Sequence, residues 1–163
     1  MDEKPLSNQL SALGIQFILS DRISSPLQSK PKQLIYDLVC SNEARLRLAL
    51  IALFLQKPDY AQYVNDVYQS LPHEKAIILK YYYSAAVCLQ QKYKHRLDEL
   101  FGEEPNLPPI FFEQLGLVIN GDPQENLDLL AAQQREATGR SINWLGTYEH
   151  AAERLLIHKE KHH

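Results

Sequence analysis

The sequence of 163 residues predicts an all-α fold: a single bundle of five to six helices preceded by a partly irregular N-terminal arm. Three observations support this class. From residue 32 onward, apolar side chains recur at spacings of three and four residues, which place them on one face of a helix. Prolines and glycines fall between these periodic segments, where helices end. Alternating apolar and polar residues, the pattern of a half-buried strand, are scarce.

The N-terminal arm is predicted for residues 1–31, and the helical domain for residues 32–163. Leucines at helical spacing near the start suggest a short helix, whereas the apolar run at residues 15–19 could form a short strand instead. Residues 20–31 contain four serines and two prolines, which is the composition of a loop.

The first helix of the domain is predicted by four apolar residues at helical spacing, Leu34, Ile35, Leu38 and Val39. Ser41 or Asn42 should cap the next helix, predicted over residues 44–57. Apolar residues cover most of its circumference, so we expect it at the centre of the bundle. Arg45 and Arg47 lie in its first turn, where the helix dipole disfavours cations. Either nearby acids compensate for them, or they contact something outside the domain.

The middle of the chain predicts two further helices. Pro58 ends the central helix and starts another, whose apolar positions run to Leu71. Pro72 suits the first position of a long helix because its missing N–H is not needed there. That helix should reach Phe101 and end at Gly102, giving about 29 residues and about 44 Å of length.

The C-terminal third predicts a connector and three helices. Residues 103–109 are rich in proline and predict the connector. A short helix is predicted over residues 110–119, weakened by Gly116. After an Asn-Gly-Asp-Pro turn, a helix is predicted over residues 123–138, and the last one over residues 141–159.

Composition and charge place the chain among ordinary globular proteins. Lysine and arginine number 17 against 20 acidic residues, so the net charge of -3 lacks the strongly basic character of many nucleic-acid-binding domains. No apolar run approaches the roughly 18 residues of a membrane span, and the start lacks a secretory pattern. Cys40 and Cys88 fit neither a disulfide framework nor a metal site, so we expect two reduced, buried thiols. These features predict a cytoplasmic protein without a metal or other cofactor.

Catalytic motifs are missing from the sequence, so no catalytic residue is predicted. The six glycines form neither a phosphate-binding loop nor a nucleophile elbow. His158 and His162 have the spacing of metal ligands, but at a chain end where chance explains it. A hydrolase centred on His150, with Glu149 and Glu153, is kept as a third hypothesis because these side chains could exchange protons.

Basic residues interleaved with tyrosines form the first candidate binding site. The cations are Lys80, Lys92, Lys94 and Arg96. Aromatic rings stack on bases and cations contact phosphates, so this pattern could bind nucleic acid. The alternative is structural, because tyrosines in a helix often pack in a core with the hydroxyl bonded to a neighbour.

Trp144, Tyr148 and His150 form the second candidate binding site, near the start of the last predicted helix. Polar-tipped aromatic side chains can anchor an interface or line a pocket. They can equally dock a terminal helix on its own core.

Charge is unevenly distributed along the chain. Residues 102–130 contain six acids and no lysine or arginine, whereas residues 73–101 carry a net charge of +2. These regions could be complementary within one fold or between two subunits, or they could simply be solvated.

The leading hypothesis is a non-enzymatic, soluble helical domain for protein–protein interaction, self-associating as a homodimer. The alternative is a regulator or companion subunit of a nucleotide- or RNA-processing enzyme, such as the small partners in toxin–antitoxin pairs.

Overall fold

Eight α-helices and one 3₁₀-helix form the regular structure of residues 30–139 and 143–161, the part of the chain that this computed structural model describes. No β-strand occurs within those ranges, so the all-α class is confirmed. The helix count exceeds the predicted five to six because short helices divide segments that look continuous in sequence. The elements are α1 (Pro31–Cys40), α2 (Ala44–Gln56), a 3₁₀-helix (Pro58–Tyr63), α3 (Val64–Ser70), α4 (His73–Lys92), α5 (Lys94–Phe101), α6 (Phe112–Leu115), α7 (Pro123–Thr138) and α8 (Trp144–Lys161).

Helix α2 lies at the centre of the fold, as its all-round apolar sequence predicts. Every side chain from residue 49 to residue 55 is buried. The helix packs against α1, α4, α8 and the 3₁₀-helix. Full burial of a leucine or phenylalanine side chain contributes about 1.5–3 kcal/mol each, so α2 anchors the elements around it.

The prediction of a single long helix from Pro72 to Phe101 is wrong, because the helix breaks at Tyr93. Helix α4 ends at Lys92, and Tyr93 (φ -106°, ψ 21°) leads into α5. Residues 81–90 are all buried, whereas in α5 Leu97 is the buried residue. The bend lets α5 run along α8 as a surface helix. Pro72 precedes α4 as its N-cap rather than forming its first residue.

Two predicted boundaries also differ from the structure. The helix predicted over residues 110–119 is confined to α6, because Gly116 adopts a left-handed conformation (φ +70°) that ends it. At the start of α2, Glu43 is the N-cap residue and its side chain makes no capping bond. Ser41 instead accepts a hydrogen bond on Oγ from the Glu43 N–H, at 3.1 Å.

Several predictions fall on residues outside the described ranges. They include the arm at residues 1–29 with its helix or strand, and the predicted start of the last helix at residue 141. Pro31, the predicted end of the arm, is the first residue of α1.

The proline-rich connector between α5 and α6 is bonded to α4. The Tyr83 hydroxyl donates to the Pro108 carbonyl at 2.7 Å, and Gln90 Nε2 donates to the Pro105 carbonyl at 3.1 Å. Gln90 Oε1 also accepts from the Leu107 N–H at 2.7 Å. Because Gln90 is 3% exposed, these bonds satisfy polar groups that water does not reach. Two side chains of α4, Tyr83 and Gln90, therefore fix the course of the connector.

We expect Gln90→Leu to lower the free energy of unfolding by about 1–3 kcal/mol, because the buried Leu107 N–H loses its acceptor. The exposed neighbour offers a matched control, and Gln91→Leu should change stability by less than about 0.5 kcal/mol. Urea denaturation followed by circular dichroism measures both values. Equal effects of the two substitutions would contradict this role for Gln90.

Candidate functional site

An open groove of about 440 Å³ lies between the first turns of α2 and the N-terminal half of α8. Pockets of this volume commonly hold ligands. On α8 its lining residues recur every three or four positions and therefore share one helix face. The lining residues are Arg45, Leu48, Asn143, Gly146, Thr147, His150, Ala151 and Arg154.

The groove combines positive charge with an apolar floor. Arg45 and Arg154 carry permanent charges, His150 lines the groove with them, and no carboxylate is among its described lining residues. Leu48 and Ala151 supply the apolar surface. An anionic group flanked by small apolar groups is the ligand chemistry that complements such a lining.

The two arginines at the start of α2 have different surroundings. Arg47 Nη1 donates to the Ser41 carbonyl at 2.8 Å and so holds the turn between α1 and α2. Arg45 lines the groove instead, with 46% of its side chain exposed. Its contact with Glu43 is 3.7 Å long, which exceeds hydrogen-bonding distance. Arg47 therefore has a structural role, and Arg45 is available to a ligand.

Asn143 sets the N-terminal end of α8 at the rim of the groove. Its Oδ1 accepts from the Gly146 N–H at 3.0 Å, and its carbonyl accepts from Thr147 Oγ1 at 2.9 Å. A Cβ atom at Gly146 would lie 2.7 Å from Asn143 Nδ2, so glycine lets the cap fold closely over the helix. An asparagine directly before apolar residues at helical spacing is the sequence pattern that indicates such a cap.

Trp144 and Tyr148 lie on the opposite, buried side of α8. Tyr148 is fully buried and Trp144 is 8% exposed. The Tyr148 ring lies 6.3 Å from Trp144 and 6.5 Å from Tyr82 of α4, and its hydroxyl donates to Gln134 Oε1 of α7. Burial raises the pKa of both phenols, Tyr82 and Tyr148, above the usual value. These rings dock α8, so the structure does not bring them together with His150, which lines the groove.

Three of the four basic residues predicted to bind nucleic acid contact acids of the same chain. Lys92 Nζ contacts Glu149 Oε2 and donates to Gln124 Oε1 at 2.7 Å. Arg96 makes a two-pronged contact with Glu160, at 2.8 and 3.0 Å.

The other two predicted basic residues, Lys94 and Lys80, differ in their contacts. Lys94 Nζ lies 3.2 Å from Asp98 and also 3.2 Å from the Glu104 carbonyl. Lys80 is partly exposed on α4. Together with Lys92 and Arg96, Lys94 thus belongs to a set of intramolecular contacts around α5, rather than to an open basic surface.

The residues of the hydrolase hypothesis are also divided between two sides of α8. Glu149 contacts Lys92, and Glu153 accepts from the Tyr93 hydroxyl at 3.0 Å. Burial and the Glu153 carboxylate raise the pKa of Tyr93 to about 12. Neither acid lines the groove that His150 lines, so the histidine is not oriented by either of them there.

The cysteines occupy different environments. Cys88 is fully buried, and burial raises the pKa of its thiol to about 12. Cys40 is partly buried rather than enclosed, with a pKa also raised by burial. Among the described residues, no cluster of three or more histidines, cysteines or acids could hold a metal ion. No helix in those ranges is long and apolar enough to cross a bilayer.

We expect Tyr148→Phe to lower the free energy of unfolding by about 1–2 kcal/mol, because Gln134 loses a donor in a buried site. Tyr63→Phe is the control, since Tyr63 is half-exposed and should change stability by less than about 0.5 kcal/mol. Thermal and urea unfolding measure the difference. Unchanged stability of Tyr148→Phe would show that the hydroxyl does not contribute to docking.

We expect the Glu160 carboxyl to titrate below its ordinary range, because its contact with Arg96 lowers its pKa. The stabilisation is present at neutral pH and is lost as the pH falls through that lowered value. In Arg96→Gln the midpoint should rise towards about 4.3. Carboxyl ¹³C shifts followed by NMR measure both midpoints, and identical values would contradict the pairing.

Comparison with known proteins gives no match to a family model, a curated protein or a solved structure. The groove between α2 and α8, with its charge and its apolar floor, is therefore the basis on which a function is assigned.

Proposed function

We propose that this protein is a non-enzymatic, soluble helical domain that binds another polypeptide in the groove between α2 and α8. The observation that carries the proposal is the lining of that groove. Arg45 and Arg154 lie above an aliphatic floor, and none of the lining residues within the described ranges carries a carboxylate. The ligand that fits is a protein segment with acidic side chains beside small apolar ones.

The shape of the groove supports a polypeptide ligand. Its lining on the α8 side runs from Asn143 to Arg154 along the N-terminal half of that helix, which spans about 17 Å at 1.5 Å per residue. A groove between two helices can receive an amphipathic segment lengthwise, with apolar anchors facing the floor. Arginine suits the rim because its planar guanidinium binds a carboxylate through two parallel hydrogen bonds.

The chemistry of the groove favours binding over catalysis. A histidine that acts as a general base is normally oriented by a third group. His150 has two neighbouring acids in sequence, but both are engaged with Lys92 and Tyr93 on the other side of α8. A histidine beside two arginines is suited to contacting an anion.

The alternative, a companion subunit of a nucleotide- or RNA-processing enzyme, draws on the same arginines because they also bind phosphate. The contacts of Lys92, Lys94 and Arg96 with acids of this chain reduce the basic surface available to a nucleic acid. We therefore favour an acidic polypeptide and treat RNA binding as an outcome of the test.

We expect a random peptide library selected on the immobilised protein to be enriched in aspartate and glutamate beside apolar residues. The same selection on a protein carrying Arg45→Glu and Arg154→Glu should lose this enrichment, because the groove then repels carboxylates. A selected peptide should bind the variant at least about tenfold more weakly, the equivalent of about 1.4 kcal/mol.

Lys80→Glu is the matched control, since it reverses one charge on α4 outside the groove lining. It should leave peptide selection and affinity unchanged. Identical peptides selected by the wild-type and groove variants would overturn the proposal. Displacement of the selected peptide by a short single-stranded RNA at low salt would instead favour the nucleic-acid alternative.

A further inference from the structure

We propose that the occupant of the groove is a second copy of this chain, which inserts an acidic and apolar surface formed by Val118, Ile119, Asp122, Glu125 and Leu129. We call this surface the acidic patch. The inference rests on the proposed function, since it names the polypeptide that the groove binds.

The acidic patch exposes large apolar side chains in one place. Val118 is 59%, Ile119 55% and Leu129 47% exposed. Single exposed apolar residues are ordinary, but a contiguous group edged by polar residues marks a binding surface. Here Asp122 and Glu125 form the polar edge, and both are exposed.

The loop that carries the patch is held rigidly by α7. Asn126 is 1% exposed, and its side chain donates to the Val118 carbonyl at 2.9 Å and accepts from the Val118 N–H at 3.0 Å. The turn that follows is tight, because Asn120 has a positive φ of 64° and a Cβ at Gly121 would lie 2.8 Å from Val118 Cβ. The apolar side chains are thus fixed outward instead of folding back onto the core.

Helix α7 supplies the other half of the patch. Glu125 and Leu129 are one helical turn apart and both are exposed, and Asn126 follows Glu125 directly. The loop bonded to Asn126 therefore lies beside these two side chains. The resulting surface combines a carboxylate with aliphatic groups, which is the ligand chemistry that the groove requires.

Charge and apolar contact both match between the two surfaces. Residues 102–130, which include the patch, contain six acids and no basic residue, whereas the groove is lined by two arginines. Ile157 is 56% exposed and follows Arg154 by three positions, so it extends the apolar edge of the groove along α8. Opposite charge around matched apolar groups favours this pairing over the contact of two identical surfaces.

The patch and the groove are separate surfaces of one chain. The patch lies on α7 and the loop before it, and the groove lies between α2 and α8, against which α7 packs. In a dimer with twofold symmetry, each patch faces the partner's groove and the same contact is made twice. We infer a twofold dimer of this kind.

A charge exchange between the two surfaces tests the dimer. Sedimentation velocity on the full chain at tens of micromolar should show a dimer for the wild type. Arg45→Glu and Glu125→Lys should each weaken dimerisation at least tenfold, because each places like charges across both contacts. An equimolar mixture of the two variants should recover the dimer, since every contact then joins opposite charges.

Control measurements distinguish a loss of dimerisation from a loss of folding. Arg45, Glu125 and Ile119 are all exposed, so the circular dichroism spectrum and the melting temperature of each variant should stay unchanged. The variant Ile119→Asp should also be a monomer. Lys80→Glu should dimerise as the wild type does. A monomeric wild type, or a mixture that does not recover the dimer, would overturn the inference. A monomer that still selects acidic peptides would overturn the inference and leave the proposed function standing.

Discussion

The docking of α8 through the buried Tyr148 is the contact on which the rest of the structure depends. Its ring packs near Tyr82 of α4, and its hydroxyl bonds to Gln134 of α7. Successive helical residues are about 100° apart, so burying this one side chain fixes the rotation of α8 about its axis. The rotation turns Glu149 towards α4 and α5 and turns His150 towards the groove. The buried face of α8, which includes Tyr148, thus decides which charges of the helix meet solvent.

That rotation also turns the acids of α8 towards α4 and α5. Glu149 contacts Lys92, Glu160 contacts Arg96, and Glu153 accepts from the Tyr93 hydroxyl. Surface ion pairs of this kind contribute little to stability, typically less than about 1 kcal/mol each. Their larger consequence is that the three acids of α8 lie away from the groove, whose lining in the described part of the chain includes Arg154 and Arg45. The groove is positively charged because the acids of α8 contact α4 and α5 instead of lining it.

The helical class and the central position of α2 could be predicted because both depend on local spacing and on all-round apolarity. The break at Tyr93 could not, since the apolar spacing continues across it and no proline or glycine marks the bend. The groove joins residues from distant parts of the sequence, so no local pattern marks it. The tyrosines and tryptophan of the last helix could either dock that helix on its own core or contact another protein. The sequence cannot distinguish these two roles, because an aromatic ring with a polar tip suits both.

Two features of the sequence break local rules, and both belong to the proposed interface. Arg45 places a cation in the first turn of α2, where the helix dipole opposes it, and Val118 with Ile119 places β-branched apolar side chains on a tight exposed turn. Within the described fold, Arg45 forms a long ion pair with Glu43, at 3.7 Å, and the turn holds both apolar side chains of the second feature outward. Departures of this kind concentrate where function opposes stability. Arg45 lies beside the apolar Leu48 of the groove, and Val118 and Ile119 lie near the carboxylates Asp122 and Glu125 of the patch. Because the two surfaces carry opposite charges and both present apolar side chains, we place them against each other.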